Sequence, residues 1–225
     1  VIPVFNSQNI LPELCKQLKD ALSSYKFEVI LINDASSDSS WSVIEQVCEN
    51  SVEFRGVCLT RNFGQDNAIM AGLSFAQAES IVIMDDDLQH SPYEIEKLLE
   101  QSTDGWDVCY ADYHKSMNQS FWKNIGSRLN SKQAEFLIEK PRNIYLSPFK
   151  VISRTVVDAL MNYKGPYPYI DGLIFQITTS ITQISVPFRN RMEGKSNYNI
   201  SKSLKVFFKH TTGFSIVPLR ITTLV

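Results

Sequence analysis

The 225-residue chain is 44% hydrophobic, with 9 glycines and 9 prolines, which suits one large domain with a real core and excludes disordered, collagen-like and repeat architectures. Its net charge of −2 conceals an asymmetry: residues 1–114 carry 6 Lys/Arg against 19 Asp/Glu, and residues 115–225 carry 16 against 5, so −13 is followed by +11. The two halves attract each other, and the basic half also suits a phosphate-bearing ligand or an anionic membrane surface; no nucleic-acid partner is expected, and nothing in the pattern specifies an oligomeric state. Val1–Phe5 reads as a first strand, closed by the polar run Asn6–Asn9. Ile10, Leu14, Leu18 and Leu22 then recur at helix spacing. Phe27–Asn33 is a buried strand that ends in Asp34–Ser39, a turn of residues that hydrogen-bond locally. A helix marked by Trp41, Ile44 and Val47 follows, then a strand over Phe54–Thr60, the polar loop Arg61–Gln65 and a helix through Ala68, Gly72 and Phe75.

Ile81–Met84 is a short apolar run of the kind found in fully buried strands. It leads directly into Asp85, Asp86 and Asp87. Strand alternation would turn Asp85 and Asp87 one way and Asp86 the other. Hard oxygen ligands at a strand end suit Mg2+ or Mn2+, which share their coordination with water and substrate phosphate; an acidic turn capping the next helix is the simpler alternative for such a motif alone. Ser91, Pro92 and Glu94 start that helix, and Trp106–Tyr113 is a fifth strand. Strands alternating with helices predict an α/β domain with a largely parallel sheet, whose ligands bind beyond the carboxyl ends of the strands. The polar loops at 6–9, 34–38 and 85–89 all fall at such ends.

The later pattern is different. Asn118–Glu139 reads as a long amphipathic helix, Ser147–Ile152 as a strand, Arg154–Met161 as a short helix and Gly165–Tyr169 as a rigid aromatic loop. Asp171–Ser180 is ambiguous with helix favoured, Ile184–Phe188 is a strand, and Arg189–Asn199 is a basic loop. Lys202, Lys205 and Lys209 share one side of a final helix, which fits a membrane interface or an ordinary surface helix. Cys15, Cys48, Cys58 and Cys109 are scattered without a C-x-x-C pair, as expected of reduced thiols in a cytosolic setting. No run reaches the ~18 apolar residues of a membrane span. Both ends look cut: VIPVF opens inside a strand and LRITTLV closes on apolar residues, so a fragment whose membrane anchor is missing is expected.

In order and spacing, VIPVFN, LINDASSDSS, RNFGQDNA and DDDLQHSP closely resemble the inverting family 2 glycosyltransferases of the GT-A fold. SPFKVISRTVVDAL, PYIDGLIF, RMEGKSNYN and FSIVPLR resemble its polyprenyl-phosphate branch, which includes dolichol-phosphate mannosyltransferase and bacterial undecaprenyl-phosphate sugar transferases. The resemblance spans essentially the whole chain. It implies a GT-A, Rossmann-like, mostly parallel sheet flanked by helices with a basic C-terminal extension, residues 1–114 forming the nucleotide-sugar half and 115–225 the acceptor half of one domain.

It also implies roles. Pro3 and Phe5 match the motif beside the base, and Asp34 and Asp38 the segment holding base and ribose. Asp85, Asp87 and Gln89 match the metal and diphosphate motif, with Asp87 catalytic; Asp86 stands in the donor site where the family usually has a small residue, and carries no assigned partner. Arg191, Lys195, Ser196 and Tyr198 match a loop that closes over the diphosphate, Arg191 and Lys195 neutralising the leaving group. Lys150 and Arg154 resemble the basic pair near the acceptor phosphate, beside Asp171. The implied reaction is metal-dependent inverting transfer, with Mg2+ or Mn2+, from a nucleotide-diphosphate sugar (uridine by analogy) to a polyprenyl phosphate at the cytoplasmic membrane face. A lipid phosphate is largely ionised near neutral pH, its second pKa being about 6, and needs no general base; a sugar hydroxyl would need one, for which Asp112 and Asp171 are the candidates. A family 2 enzyme extending a glycan, a metal-dependent phosphohydrolase and a non-catalytic nucleotide-sugar-binding module are the alternatives.

Overall fold

A computed structural model describes residues 1–113 and 144–187. In chain order they form β1 (Ile2–Val4), α1 (Leu11–Ala21), β2 (Val29–Asn33), α2 (Ser40–Asn50), β3 (Phe54–Cys58), α3 (Gln65–Leu73), β4 (Ser80–Ile83), a 3-10 turn (Pro92–Glu94), α4 (Ile95–Thr103), β5 (Val108–Asp112), β6 (Lys150–Ser153), α5 (Arg154–Leu160), α6 (Ile170–Ile177) and β7 (Ile181–Ser185). The expected helix at 118–139, the Arg189–Asn199 loop and the Lys202–Lys209 helix lie outside the described residues.

β1, β2 and β3 pair in parallel. A second sheet has the order β4-β6-β5-β7, with β6 antiparallel to both neighbours and β7 parallel to β5. The two sheets meet at β1 and β4: the Val1 nitrogen donates to the Val82 carbonyl at 2.8 Å and the Met84 N–H to the Val1 carbonyl at 3.3 Å. One residue bonded to two positions two apart is the pattern of a parallel pair. Among the described residues β6 alone runs against the rest, so the carboxyl ends of β1, β2 and β4 share one edge.

The local chemistry explains these elements. Leu11, Leu14, Cys15 and Leu18 put the buried face of α1 at helix spacing. β2 is buried at every position because helices cover both of its faces. Alternation then separates two cores: Cys109, Ala111 and Val151 face one with α1 and α4, whereas Val108, Tyr110 and Ile152 face the other with α5 and α6. α3 lies unusually close to the sheet, since a Cβ on Gly72 would come within 2.5 Å of Ile32 Cδ1 and 2.6 Å of Val1 Cγ1. That approach sets where its first residue, Gln65, reaches the strand ends.

Two expectations shift, and one ambiguous segment takes the favoured form. β4 ends at Ile83, before the carboxylates, so simple strand alternation does not govern Asp85–Asp87. Asp171 lies in α6, resolving that ambiguous segment as helix. β7 begins at Ile181 rather than Ile184, because Thr178 Oγ1 donates to Asp107 Oδ2 at 2.6 Å and the Asp107 N–H to the Ser180 carbonyl at 3.1 Å, setting Ile181 opposite Val108.

Candidate active site

Each of the three loops leaving β1, β2 and β4 contains a non-glycine residue in the left-handed region: Asn6 (φ 56°), Ala35 (φ 53°) and Leu88 (φ 57°). Such a conformation costs an ordinary side chain roughly 1–2 kcal/mol, so the surroundings must hold it. They do so through hydrogen bonds between loops. The Asn6 N–H donates to Ser36 Oγ at 3.0 Å, and Asn6 Oδ1 accepts from the Ser37 N–H at 2.8 Å. Ser39 N–H donates to Gln8 Oε1 at 2.7 Å. In the third loop the Gln89 N–H donates to Asp87 Oδ1 at 3.1 Å, closing an Asx turn around Leu88.

The aspartates divide into tethers and cavity walls. Asp38 is a tether: it accepts from the Ser40 N–H at 3.0 Å, Ser40 Oγ at 2.6 Å and the Gln8 N–H at 3.2 Å. Burial pushes its carboxyl up, but these hydrogen bonds outweigh that and hold it below the usual carboxylate value. It does not line the cavity described next. Asp34, only 3% exposed, accepts from the Phe63 N–H at 2.7 Å and the Gly64 N–H at 2.9 Å, fastening the loop after β3 to the end of β2. Asp86 Oδ2 accepts from the Phe5 N–H at 3.2 Å and from Ser7 Oγ at 2.5 Å. The residue with no assigned partner is thus a clasp between the β4 and β1 loops. Burial raises its pKa; the Ser7 and Phe5 hydrogen bonds offset this in part, and nearby Asp87 adds to the rise.

A cavity of about 280 Å3 lies between these loops, lined by Pro3, Phe5, Asn62 and Gln65 and by four carboxylates: Asp34, Asp85, Asp86 and Asp87. Among the described residues neither a lysine nor an arginine lines it. Gln65 Nε2 donates to Asp85 Oδ1 at 2.7 Å. Beside it lies a second cavity of about 310 Å3, which shares Gln65 and Asp85 and adds Asp66, Lys150 and Asp171. Lys150 is 3% exposed, and its ammonium is ion-paired with Asp171 Oδ1.

The sequence expectation therefore meets the structure unevenly. Pro3, Phe5, Asp34, Asp85, Asp86 and Asp87 gather around the first cavity, and Lys150 and Asp171 around the second. Gln89 contributes its backbone N–H to Asp87 and is not among the lining residues. Lys150 does not offer an unpaired ammonium, because Asp171 holds it. Arg154 must be corrected. β6 runs antiparallel, so Lys150 pairs with Ile83 at the site end of β4 while Ser153 pairs with Ser80 at the far end. Four residues of strand, about 13 Å, separate Lys150 from Arg154. The Arg154 guanidinium instead donates to the carbonyls of Ala76 (2.8 Å) and Ala78 (2.8 and 3.1 Å), holding the segment that precedes β4. Arg191, Lys195, Ser196 and Tyr198 lie outside the described residues. Gln65, Asn62 and Tyr110 were missed; Gln65 was marked by its place at the end of a polar loop and the start of a helix, whereas Tyr110 read as core.

The donor set suits a hard divalent cation: oxygen atoms only, two aspartates at a strand end. Among the described residues no three His, Cys, Asp or Glu side chains are grouped to bind a metal unaided. His90, buried and stacked on Tyr113 and Phe149 at centroid distances of 5.3 and 5.5 Å, backs the motif. Burial, partly opposed by Asp87, lowers its pKa to about 4, so it is neutral here.

Residues 1–161 match the family model described as Glycosyl transferase family 2. The undecaprenyl-phosphate 4-deoxy-4-formamido-L-arabinose transferase of Pseudomonas fluorescens (strain SBW25) is 32% identical over 233 residues, covering 100% of this chain and 67% of that protein. Its counterpart in Pseudomonas syringae pv. syringae (strain B728a) is 29% identical over 228 residues, with the same coverage. Among solved structures, glucosyl-3-phosphoglycerate synthase from Mycobacterium tuberculosis, in complex with Mn2+, uridine-diphosphate-glucose and phosphoglyceric acid, superposes with a TM-score of 0.65 at 14% identity, covering 94% of this chain and 77% of that one. The fold is GT-A.

Proposed function

Because the chain belongs to glycosyl transferase family 2 and is a glycosyltransferase, we propose that it transfers a sugar from a nucleotide-diphosphate donor to a polyprenyl phosphate, inverting the anomeric centre. The observation that carries this reading is the first cavity, where four carboxylates gather at the carboxyl ends of β1, β2 and β4. A divalent cation would offset the repulsion between these carboxylates and a diphosphate. Asp85 and Asp87 would hold Mg2+ or Mn2+, which when bound would supply Lewis-acid stabilisation of the departing diphosphate.

The chain's own residues do the rest. Pro3 and Phe5 flank the base, and Asp34 and Asp38 shape its wall by fixing the loops around it. Gln65 orients Asp85 through its amide. By the family resemblance, Arg191 and Lys195, with Ser196 and Tyr198, supply the groups that neutralise the leaving group. The sugar lies across the wall shared by the two cavities, and the acceptor phosphate approaches from the second. Its ionised oxygen attacks without a general base. Residues 1–114 supply the nucleotide wall, and residues from 115 onward contribute the side from which the acceptor comes, Lys150 and Asp171 lining the second cavity and not the first.

The Pseudomonas relatives, whose names specify undecaprenyl phosphate, support a polyprenyl acceptor. The mycobacterial synthase complex with Mn2+ and uridine-diphosphate-glucose supports a uridine donor and a divalent metal. A lipid acceptor places the work at the membrane surface, on the cytoplasmic face where nucleotide sugars are available. No helix among the described residues is long and apolar enough to cross a membrane.

The test is a panel of radiolabelled UDP- and GDP-sugars supplied with polyprenyl phosphate and Mn2+. Label extractable into organic solvent, lost on chelation and in Asp87→Asn, is expected. Label found only on a water-soluble glycan would refute the acceptor, and metal-dependent phosphate release without sugar transfer would refute the reaction class.

A further inference from the structure

The second core contains a polar cluster that the reaction above places on the second cavity without assigning it a task. Tyr110 and Lys150 are register partners across β5 and β6, and Lys150 also pairs with Ile83, the last residue of the strand leading to Asp85. Tyr110 Oη donates to Asp171 Oδ1 at 2.8 Å, and the Lys150 ammonium meets the same oxygen. The ammonium also lies 5.0 Å from the centroid of the Tyr110 ring. Tyr110 is 0% exposed, among Ile83, Val108, Ile152 and Ile174.

A buried ion pair adds little stability over apolar residues of the same volume, so folding alone does not account for a lysine, a phenol and a carboxylate placed here. Their arrangement has a direction. Both donors converge on Oδ1, and the Asp171 side chain keeps 16% of its surface exposed on the second cavity. Burial and the adjacent carboxylate push the phenol well above its ordinary value, so Tyr110 remains a donor. Asp171 is thereby presented to the cavity with one oxygen occupied and its rotamer fixed from behind. Asp66, Asp85 and Asp171 line that cavity, and the one lysine among its described lining residues is already paired. Such a wall accepts hydrogen bonds from hydroxyl groups and disfavours a dianion.

We propose that Asp171 receives a hydroxyl of the donor's glycosyl group, and that Tyr110 and Lys150 are positioning residues acting through it. This rests on the donor reading above. It assigns the second cavity's inner wall to recognition of the sugar, and leaves the acceptor phosphate at its mouth. A fixed carboxylate makes a strong, directional acceptor, and a sugar lacking the matching hydroxyl leaves it buried and unmatched.

The experiment is isothermal titration with Mn2+ of UDP, a panel of UDP-hexoses and the deoxy analogues of whichever hexose binds best. UDP reads the nucleotide site; the gain of a UDP-hexose over UDP reads the sugar site. In the double variant Asp171→Asn/Lys150→Met, which leaves no buried charge unpaired, UDP affinity stays within about twofold. The gain from the hexose falls about tenfold to hundredfold, as for a lost hydrogen bond to a charged group, and discrimination against one deoxy analogue disappears. Tyr110→Phe, which keeps both charges, shows a smaller loss in the same analogue and serves if the double variant does not fold. An undiminished hexose gain in both variants with UDP binding intact overturns the proposal, as does a wild-type chain that binds no UDP-hexose more tightly than UDP. Binding of GDP-hexoses in place of UDP-hexoses changes only the probe, and the same arms are then read with them, supporting or overturning it alike. Failure of both nucleotides to bind overturns the donor reading and this proposal with it.

Discussion

Replacing Asp86 separates a clasp from a metal ligand. Its Oδ2 takes the Phe5 N–H at 3.2 Å, in an exposed setting, and Ser7 Oγ at 2.5 Å, in a half-buried one. Asp86→Ala removes both. At about 0.5–1 kcal/mol for the exposed bond and about 1.5–2 kcal/mol for the charge-assisted one, the gross loss is about 2–3 kcal/mol. Relief of the carboxylate's burial and of its repulsion by Asp87 returns part of that, leaving about 2 kcal/mol, or roughly 4–8 °C in Tm for a chain of this size. Asp86→Asn keeps an acceptor oxygen for both donors and loses the burial penalty, so its stability stays within about 1 kcal/mol of wild type. Both variants retain Mn2+-dependent transfer. Asp87→Asn does the opposite, folding normally while Mn2+ affinity in the presence of nucleotide falls at least about tenfold, in the range for a lost charged ligand contact. Urea unfolding and Mn2+ titration in the three variants read both properties. If Asp86→Asn abolished Mn2+ binding while Asp87→Asn preserved it, the division of the three carboxylates would be wrong.

Arg154→Ala should cost about 1–3 kcal/mol, because the carbonyls of Ala76 and Ala78 lose a charged donor, and should leave the KM for the lipid acceptor unchanged; a raised KM at unaltered stability would return Arg154 to the site. Asp38, whose folded carboxyl lies below its ordinary value of 3.8, contributes stability that is present above that value and lost as pH falls through the folded one. Acid unfolding of Asp38→Asn, followed by circular dichroism, should therefore show a shallower loss below 3.8 than wild type, and an identical limb would refute the tether. Cys58 is exposed and Cys48 half-buried, whereas burial pushes Cys15 and Cys109 up to about 12. Ellman's reagent on the native chain should thus show one fast thiol that disappears in Cys58→Ser, and fast labelling of Cys15 or Cys109 without unfolding would contradict the packing.

Several of these residues were legible without coordinates because their signals are local. Alternating apolar runs and helix spacing located the strands and helices, and the polar loops after VIPVF, VILIN and IVIM marked the binding edge, since a parallel sheet leaves its carboxyl ends there. The motif DDDLQ suited a hard metal ion, and the resemblance carried by it, LINDASSDSS and the later motifs implied a diphosphate beside that metal. Tertiary structure decided what depends on direction and on partners far along the chain. The reversal of β6 puts Lys150 at the site end and sends Arg154, the first residue of α5, away from it, though the two are only four residues apart in sequence. Asp86 found its donors in Phe5 and Ser7, about eighty residues earlier, and Asp34 its own in Phe63 and Gly64. Tyr110 is indistinguishable from a core aromatic until β5 is set against β6 and α6 brings Asp171 over it. Residue type and spacing specify which groups can do chemistry; strand direction and register, which are fixed by burial of the whole sheet rather than by any one segment, select which of them meet.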